Sequence, residues 1–436
     1  MSALTDPATK AISDAAPKNG LHNYALVTLA YWCDTLADGA IRMLVLFYFY
    51  KLGYSALQVA SLFLFYEVFG IVTNFCGGYL GSRFGLKTTL FLGLGTQLVA
   101  LSMLALMPPS ALTVAYVMVS QALSGIAKDL TKMSSKSAVK LVAGENEGRL
   151  YQWVALLTGS KNALKGVGFF TGSLLLSVIG FQASIWTLAA LVATGLVVAS
   201  SLMRGGVGTA NKKVKFSQMF SRNSAVNLLA VARLFLFGAR DVWFVVAVPV
   251  FLSSVLGWQF WQAGGFMAAW VIGYGTVQAS APALLRGRPG SAKKQPDGHT
   301  ATWLAFVLAA FPAAIAAALW FNFSPGVVIA AGLILFGVVF ALNSAVHSYL
   351  ILAYTDDKKV AMSVGIYYMA NACGRLAGTV LSGLLYQIGL KHGANGGLIW
   401  CLLTSTGFVL AAGLLSLGLP RPTHGPSGAV AADGGD

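Results

Sequence analysis

The chain has 436 residues, of which 57% are hydrophobic and 10% charged, with a formal net charge of +15. A soluble domain carries about 25% charged residues, so a water-soluble globular protein is excluded and a polytopic membrane protein is indicated. The four cysteines (Cys33, Cys76, Cys373 and Cys401) sit in apolar segments without metal-ligand spacing, so they read as small buried hydrophobes and neither a metal nor a cofactor is expected.

Residues 1–21 are polar, lack an apolar core and a cleavage site, and read as a disordered tail rather than a signal peptide. Twelve apolar spans follow, at about 23–50, 55–80, 88–107, 111–133, 149–179, 181–203, 225–256, 260–285, 302–322, 325–350, 360–389 and 396–419. The expected fold is an all-α membrane protein with twelve transmembrane helices in two pseudo-symmetric six-helix bundles. Its units are a first bundle over 22–203, a basic linker over 204–224, a second bundle over 225–420 and a tail over 421–436.

Charge sets the orientation. Nineteen of the 29 Lys and Arg lie in the N-terminal segment and the alternate loops on its side. Only Lys51 and Lys391 lie on the other side, and eight lie within spans. By the positive-inside rule the first set faces the cytoplasm, with both termini. The net charge is therefore a topology signal plus an intramembrane set, and no nucleic-acid partner is expected.

The first span carries Asp34, Asp38 and Arg42 at i, i+4 and i+8 on one helical face. Asp38 and Arg42 can pair. The set is either a self-neutralising ladder or a titrating carboxylate beside a substrate-binding arginine. Glu67 lies mid-span in the second helix, as a proton site or as the counter-ion of a cation. The fourth span ends in Lys128, Lys132, Lys136 and Lys140, spaced by four. This stripe either attracts an anion from the cytoplasm or anchors the helix end.

The fifth span holds Lys161 and Lys165 among Gly159, Gly166, Gly168 and Gly172. Counted from Arg149 they lie about 18 and 24 Å along the helix, inside a hydrocarbon core about 30 Å thick. A lysine at that depth costs about 2.5–3.5 kcal/mol, and two on one face repel. The pair is tolerable against a watery cavity, carboxylates or an anionic ligand. The seventh span carries Arg240-Asp241, whose side chains point about 100° apart and need not pair. Arg233, nearer the end of that span, is placed to snorkel, and His347 reads as a buried polar residue.

The eleventh span repeats the fifth after a shift of 209: Asn162-Ala163 falls on Asn371-Ala372, and Ser173-x-Leu-Leu-x-x-Ile179-Gly180 on Ser382-x-Leu-Leu-x-x-Ile388-Gly389. In that register Arg375 follows the counterpart of Lys165 by one position. Within the spans eight cations face five carboxylates (Asp34, Asp38, Glu67, Asp129 and Asp241). That excess favours an organic anion over a cationic drug as ligand. No Ser/His/Asp or clustered His/Asp set supports an enzyme, and no filter motif supports a channel.

The loop Gly78-Tyr-Leu-Gly-Ser82-Arg83-Phe-Gly85-Leu-Lys87 resembles the gating motif of the major facilitator superfamily, with Gly78, Arg83, Gly85 and Lys87 in place and Ser82 where the family has Asp. Five further stretches resemble organoarsenical efflux permeases of the ArsJ type: Leu36-Ala-Asp38-Gly-Ala-Ile-Arg42, Leu62-Phe-Leu-Phe-Tyr-Glu67, Lys128-Asp-Leu-Thr-Lys132, Gly159-Ser-Lys161-Asn-Ala-Leu-Lys165 and Gly238-Ala-Arg240-Asp241. That resemblance implies a monomeric permease of the bacterial inner membrane. It would export 1-arseno-3-phosphoglycerate, supplied by a glyceraldehyde-3-phosphate dehydrogenase, and so confer arsenate resistance. On it, Arg42, Lys161 and Lys165 would take one oxyanion end and Arg240 with Arg375 the other, with Lys128 on the approach. Asp34, Asp38, Glu67 and Asp241 are the proton-coupling candidates. A sugar-phosphate or carboxylate exchanger fits the same cations.

Overall fold

The structure is a computed structural model that describes residues 7–138, 147–203, 223–285, 296–354 and 360–420. Among the described residues are fourteen α-helices and no strand. In chain order they are α1 (Pro7–Lys51), α2 (Ala56–Leu62), α3 (Leu64–Phe84), α4 (Leu86–Leu106), α5 (Val114–Ala138), α6 (Glu147–Ile179) and α7 (Phe181–Leu202), then α8 (Ser224–Phe244), α9 (Ala247–Ser254), α10 (Phe260–Leu284), α11 (Gly298–Trp320), α12 (Pro325–Ala353), α13 (Val360–Gly389) and α14 (Gly396–Ser416).

They make twelve crossings. The second is α2 and α3, interrupted at Phe63, and the seventh is α8 and α9, interrupted at Val245–Val246. The second break is held from outside: Ser382 Oγ on α13 accepts from the amides of Val246 at 3.2 Å and Ala247 at 3.1 Å. A 21-residue helix such as α4 is about 31 Å long, enough for the apolar core of a bilayer. Eight crossings are apolar enough to be recognised by hydropathy alone. The other four are α1, α5, α10 and α13. Three of them carry buried charge (Asp34, Asp38 and Arg42 on α1, Asp129 on α5 and Arg375 on α13), and α10 carries Gln262, Thr276 and Gln278.

The ends follow local chemistry. Asn223 caps α8, and Asp297 caps α11 by accepting from the Thr300 amide at 2.9 Å. Gly85 and Gly180, at φ 76° and 77°, are one-residue links from α3 to α4 and from α6 to α7, a conformation that other residues rarely adopt. The helix α1 begins at Pro7, so part of the segment expected to be a disordered tail is helical. Pro7 suits a first helical turn, and alanines 8, 11, 15 and 16 favour the helix that follows. The linker 204–222 and the tail 421–436 lie outside the described residues.

The packing repeats after six crossings. Helix α1 lies against α6 and α7, as α8 lies against α13 and α14. Helix α4 lies against α5 and α7, as α11 lies against α12 and α14. Two seams join the first six crossings to the last six: α6 against α10, and α13 against α2 and α3. These seams are also exchanged by a shift of six. The α1–α6 and α8–α13 contacts depend on small residues. A Cβ at Gly39 would lie 2.7 Å from the Lys165 carbonyl oxygen, and one at Gly374 would collide with the carbonyl of Leu234.

Gly374→Val should therefore lower the melting temperature in detergent, by an amount corresponding to about 1–3 kcal/mol or more of overpacking. Gly273→Ala, which meets nothing within 4 Å, should leave it unchanged. Equal melting temperatures for the two variants would contradict the α8–α13 packing.

Candidate functional site

Glu67 lies in the first turn of α3 and is 2% exposed. Its Oε1 accepts from Arg42 Nη2 at 2.7 Å and from Arg375 Nη2 at 3.0 Å. Arg42 comes from α1 and Arg375 from α13, so one carboxylate joins the first six crossings to the last six. The chain of charges continues. Arg375 Nε is 3.8 Å from Asp241 Oδ2, and Arg240 Nε is 2.6 Å from Asp241 Oδ1. Three guanidiniums thus share two carboxylates, a local excess of one positive charge.

Local structure positions each of these groups. The break at Phe63 starts α3 with the Glu67 amide donating to the Phe63 carbonyl at 3.1 Å. It also leaves the Phe63 and Tyr66 rings each 5.3 Å from the Arg42 guanidinium. Arg240 is surrounded by Phe237, Phe244 and Phe340 at 5.0–5.7 Å. Cation–π contact in a desolvated setting is worth about 2 kcal/mol, and rings over the remaining faces keep lipid and water away.

A narrow cleft of about 20 Å³, room for about one water molecule, lies beside Glu67 between α3, α5 and α13. Glu67 and Arg375 form its head. Asn74, Lys132 and Tyr368 line it further on, toward the face bearing the basic loops. Lys132 Nζ lies 5.3 Å above the Tyr368 ring, a contact across the cleft. At the other end of the molecule the seams are shut. The Leu57 amide donates to Gln387 Oε1 at 3.3 Å, and Phe47 stacks on Phe260 with centroids 4.9 Å apart. The cleft is one-sided.

The other carboxylates have different surroundings. Asp38 accepts from the Tyr66 hydroxyl at 2.8 Å, and that hydroxyl accepts from Lys128 Nζ at 2.9 Å. Asp129 accepts from Thr73. Asp34, 1% exposed, accepts from the Thr131 hydroxyl at 2.5 Å through Oδ2. Its Oδ1 has no partner among the described residues. Lys161 and Lys165 are buried on α6 where it meets α1 and α10. They do not line the cleft.

Several sequence expectations change. Arg42 pairs with Glu67, and Asp38 with Tyr66, because the broken second crossing puts both Tyr66 and Glu67 against α1. Arg240 does pair with its neighbour Asp241, since a guanidinium on a long stem reaches back over the 100° separation. Arg233 does not snorkel. It is fully buried, donating to Asn371 Oδ1 at 3.3 Å and to the Ser344 carbonyl at 3.1 Å. Arg42 and Arg375, assigned above to opposite substrate ends, converge on one group. Lys87 sits 5.6 Å over the Phe91 ring. The side chains of Gly78 and Arg83, like those of Lys136 and Lys140, lie outside the described residues. Tyr66, Thr131 and Asn371 were not singled out as site residues. Tyr66 adjoins Glu67, and Thr131 lies one turn from Lys128, so spacing offered a signal for both.

The family description Major Facilitator Superfamily matches residues 27–346. No curated protein matches the chain. Among solved structures, a mutant of the nucleoside transporter NupG is similar, with TM-score 0.70 and 14% identity over 92% of this chain and 100% of that one. A POT family transporter in complex with a thioalcohol-conjugated peptide gives TM-score 0.69 and 13% identity, covering 90% and 95% of the two chains. A peptide transporter of the POT group in complex with sulfate gives 0.69 and 15%, covering 91% and 94%. At these identities the likeness is one of fold.

Glu67→Gln should destabilise the protein by about 3–5 kcal/mol, because it leaves two buried guanidiniums without their shared anion. Glu67→Gln combined with Arg375→Gln should recover part of that loss. Melting curves of the single and double variants check this. A double variant at least as unstable as the two single losses added together would show that the pair is not coupled.

Proposed function

The chain belongs to the major facilitator superfamily, whose members are transporters and not enzymes, and we propose that it exports a small organic anion bearing two oxyanion ends. The observation that carries this reading is the single carboxylate shared by two arginines at the head of a one-sided cationic cleft. The basic loops put the open end of the cleft in the cytoplasm, with both termini there and the protein in a bacterial inner membrane. Lys132 and Lys128 draw the anion in. One oxyanion end competes with Glu67 for Arg42 and Arg375, a bidentate arrangement suited to phosphate-like groups. The other end meets Lys128 and Lys132. Lys161 and Lys165 join the site when α6 moves against α10.

Displacing Glu67 removes the tie between α3 and α13. The two sets of six crossings then rock about the site and open it to the outside. The excess positive charge is neutralised by the bound anion, so the loaded carrier reorients more readily than the empty one. Coupling to protons falls to Asp34. It is buried, its Oδ2 accepts from the Thr131 hydroxyl, and its Oδ1 has no partner among the described residues.

The finer reading is that the anion is 1-arseno-3-phosphoglycerate, made by a glyceraldehyde-3-phosphate dehydrogenase acting as functional partner. It is supported by the five stretches that resemble organoarsenical permeases and by the fit of a substrate with a phosphate end and an arsenate end. Pentavalent arsenic bound through oxygen needs no thiol, so the four scattered cysteines are consistent with it.

Uptake into everted membrane vesicles tests both levels. Arsenate, glyceraldehyde 3-phosphate, NAD and the dehydrogenase are supplied outside, and vesicle arsenic is counted with and without a pH gradient. Accumulation should require the complete mixture and fall at least tenfold in Arg375→Gln vesicles. Asp34→Asn should abolish the response to the gradient. Movement of 3-phosphoglycerate or another organic anion in place of arsenic would discard the arsenical and keep the anion carrier. No anion movement at all would discard both.

A further inference from the structure

Arg233 is the buried charge that the site above does not use. It is 0% exposed and lies among the last six crossings, between α8, α12 and α13. Every partner it has is neutral. Nη1 donates to the carbonyl and hydroxyl of Ser344 at 3.1 and 3.0 Å, and Nε donates to Asn371. The Phe237 and Tyr367 rings lie 3.8 and 4.9 Å from the guanidinium. Among the described residues Nη2 has no hydrogen-bond partner, and none of the ion pairs among them includes Arg233.

The surrounding polar groups are unmatched as well. Both ring nitrogens of His347 and both amide atoms of Asn343 lack partners among the described residues. Both residues are 0% exposed. Asn343 and His347 are one turn apart on the same face of α12, and Ser344, which holds the guanidinium, lies between them. A buried unpartnered polar atom costs about 1–3 kcal/mol, and an uncompensated buried cation costs more. Water would satisfy the amide and the imidazole, but it leaves the charge uncancelled.

We propose that Arg233, Asn343 and His347 form a binding site for a small monovalent inorganic anion of halide size, distinct from the cleft at Glu67. The guanidinium supplies the charge, and the Asn343 amide and a His347 N–H supply two neutral donors. Monovalent charge follows from full burial, since stripping water from a doubly charged oxyanion costs far more than stripping it from a halide. The site adjoins the cleft wall, because Asn371 lines the cleft and accepts from Arg233.

The test uses the purified full-length protein in detergent. Its melting temperature is measured in chloride, bromide and gluconate at constant ionic strength. Chloride and bromide should raise it by several degrees, saturably, relative to gluconate. Arg233→Gln should remove the halide dependence, and Asn343→Ala, which keeps the charge, should shift the half-saturating concentration upward at least threefold. Arg42→Gln, which removes a cation of the cleft, should leave the halide dependence as it is. A wild-type protein with equal melting temperatures in all three salts would overturn the site and assign the unmatched atoms to water. A halide response that persists in Arg233→Gln, or that disappears in Arg42→Gln, would overturn it too. Should Arg233→Gln fail to fold, the shift in Asn343→Ala decides alone: no shift overturns the proposal. None of these readings involves transport, so the halide site stands or falls independently of the substrate.

Discussion

Glu67 is the constraint on which the rest depends. A carboxylate buried in the middle of a membrane is costly unless cations satisfy it, and here the two cations come from helices in different sets of six crossings. The arrangement is stable only while α1, α3 and α13 stay together. It therefore ties the first half of the chain to the second at one point, and that point is the head of the cleft. On the proposed export, a ligand that takes over the arginines would untie the halves by the same act that binds it, so recognition and conformational release would be one event, as alternating access requires of a central site.

The seams around that point suit motion. Within each set, α1 and α6, and α8 and α13, approach closely through Gly39 and Gly374, and such contacts hold a bundle as a unit. Between the sets, the α6–α10 and α13–α2/α3 seams are exchanged by the six-crossing repeat. Opening one end of both seams while closing the other needs no change inside either set. At the end away from the basic loops the seams are closed by Phe47 on Phe260 and by Gln387 on the Leu57 amide. At the basic end, Lys132 over Tyr368 is the contact seen across the cleft.

Hydropathy and charge made the number of crossings legible in the sequence, because each is a property of a single helix. The repeat at a shift of 209 pointed to the relation between α6 and α13, and it placed Arg375 near mid-depth. The pairings were not legible. Asp38 and Arg42 are spaced to pair along α1, yet both turn to α3, because the break at Phe63 presents Tyr66 and Glu67 together. Nothing in a periodic apolar pattern announces such a break. Arg233 looked placed to reach the membrane surface, but Asn371 and Ser344 on other helices hold it inside. Long-range partners decide where a charge goes, and a single sequence does not display them.

The buried carboxylates fall into two kinds. Glu67 and Asp241 sit among guanidiniums. Asp34 has the Thr131 hydroxyl and an oxygen without a partner among the described residues. Thr131 lies within one turn of Lys128, and Lys128 connects through the Tyr66 hydroxyl to Asp38. Tyr66 adjoins Glu67 in the chain. On the proposed anion export, substrate and proton would act on neighbouring links of this network, one at the arginines and the other at the lysine side, and would not compete for the same carboxylate.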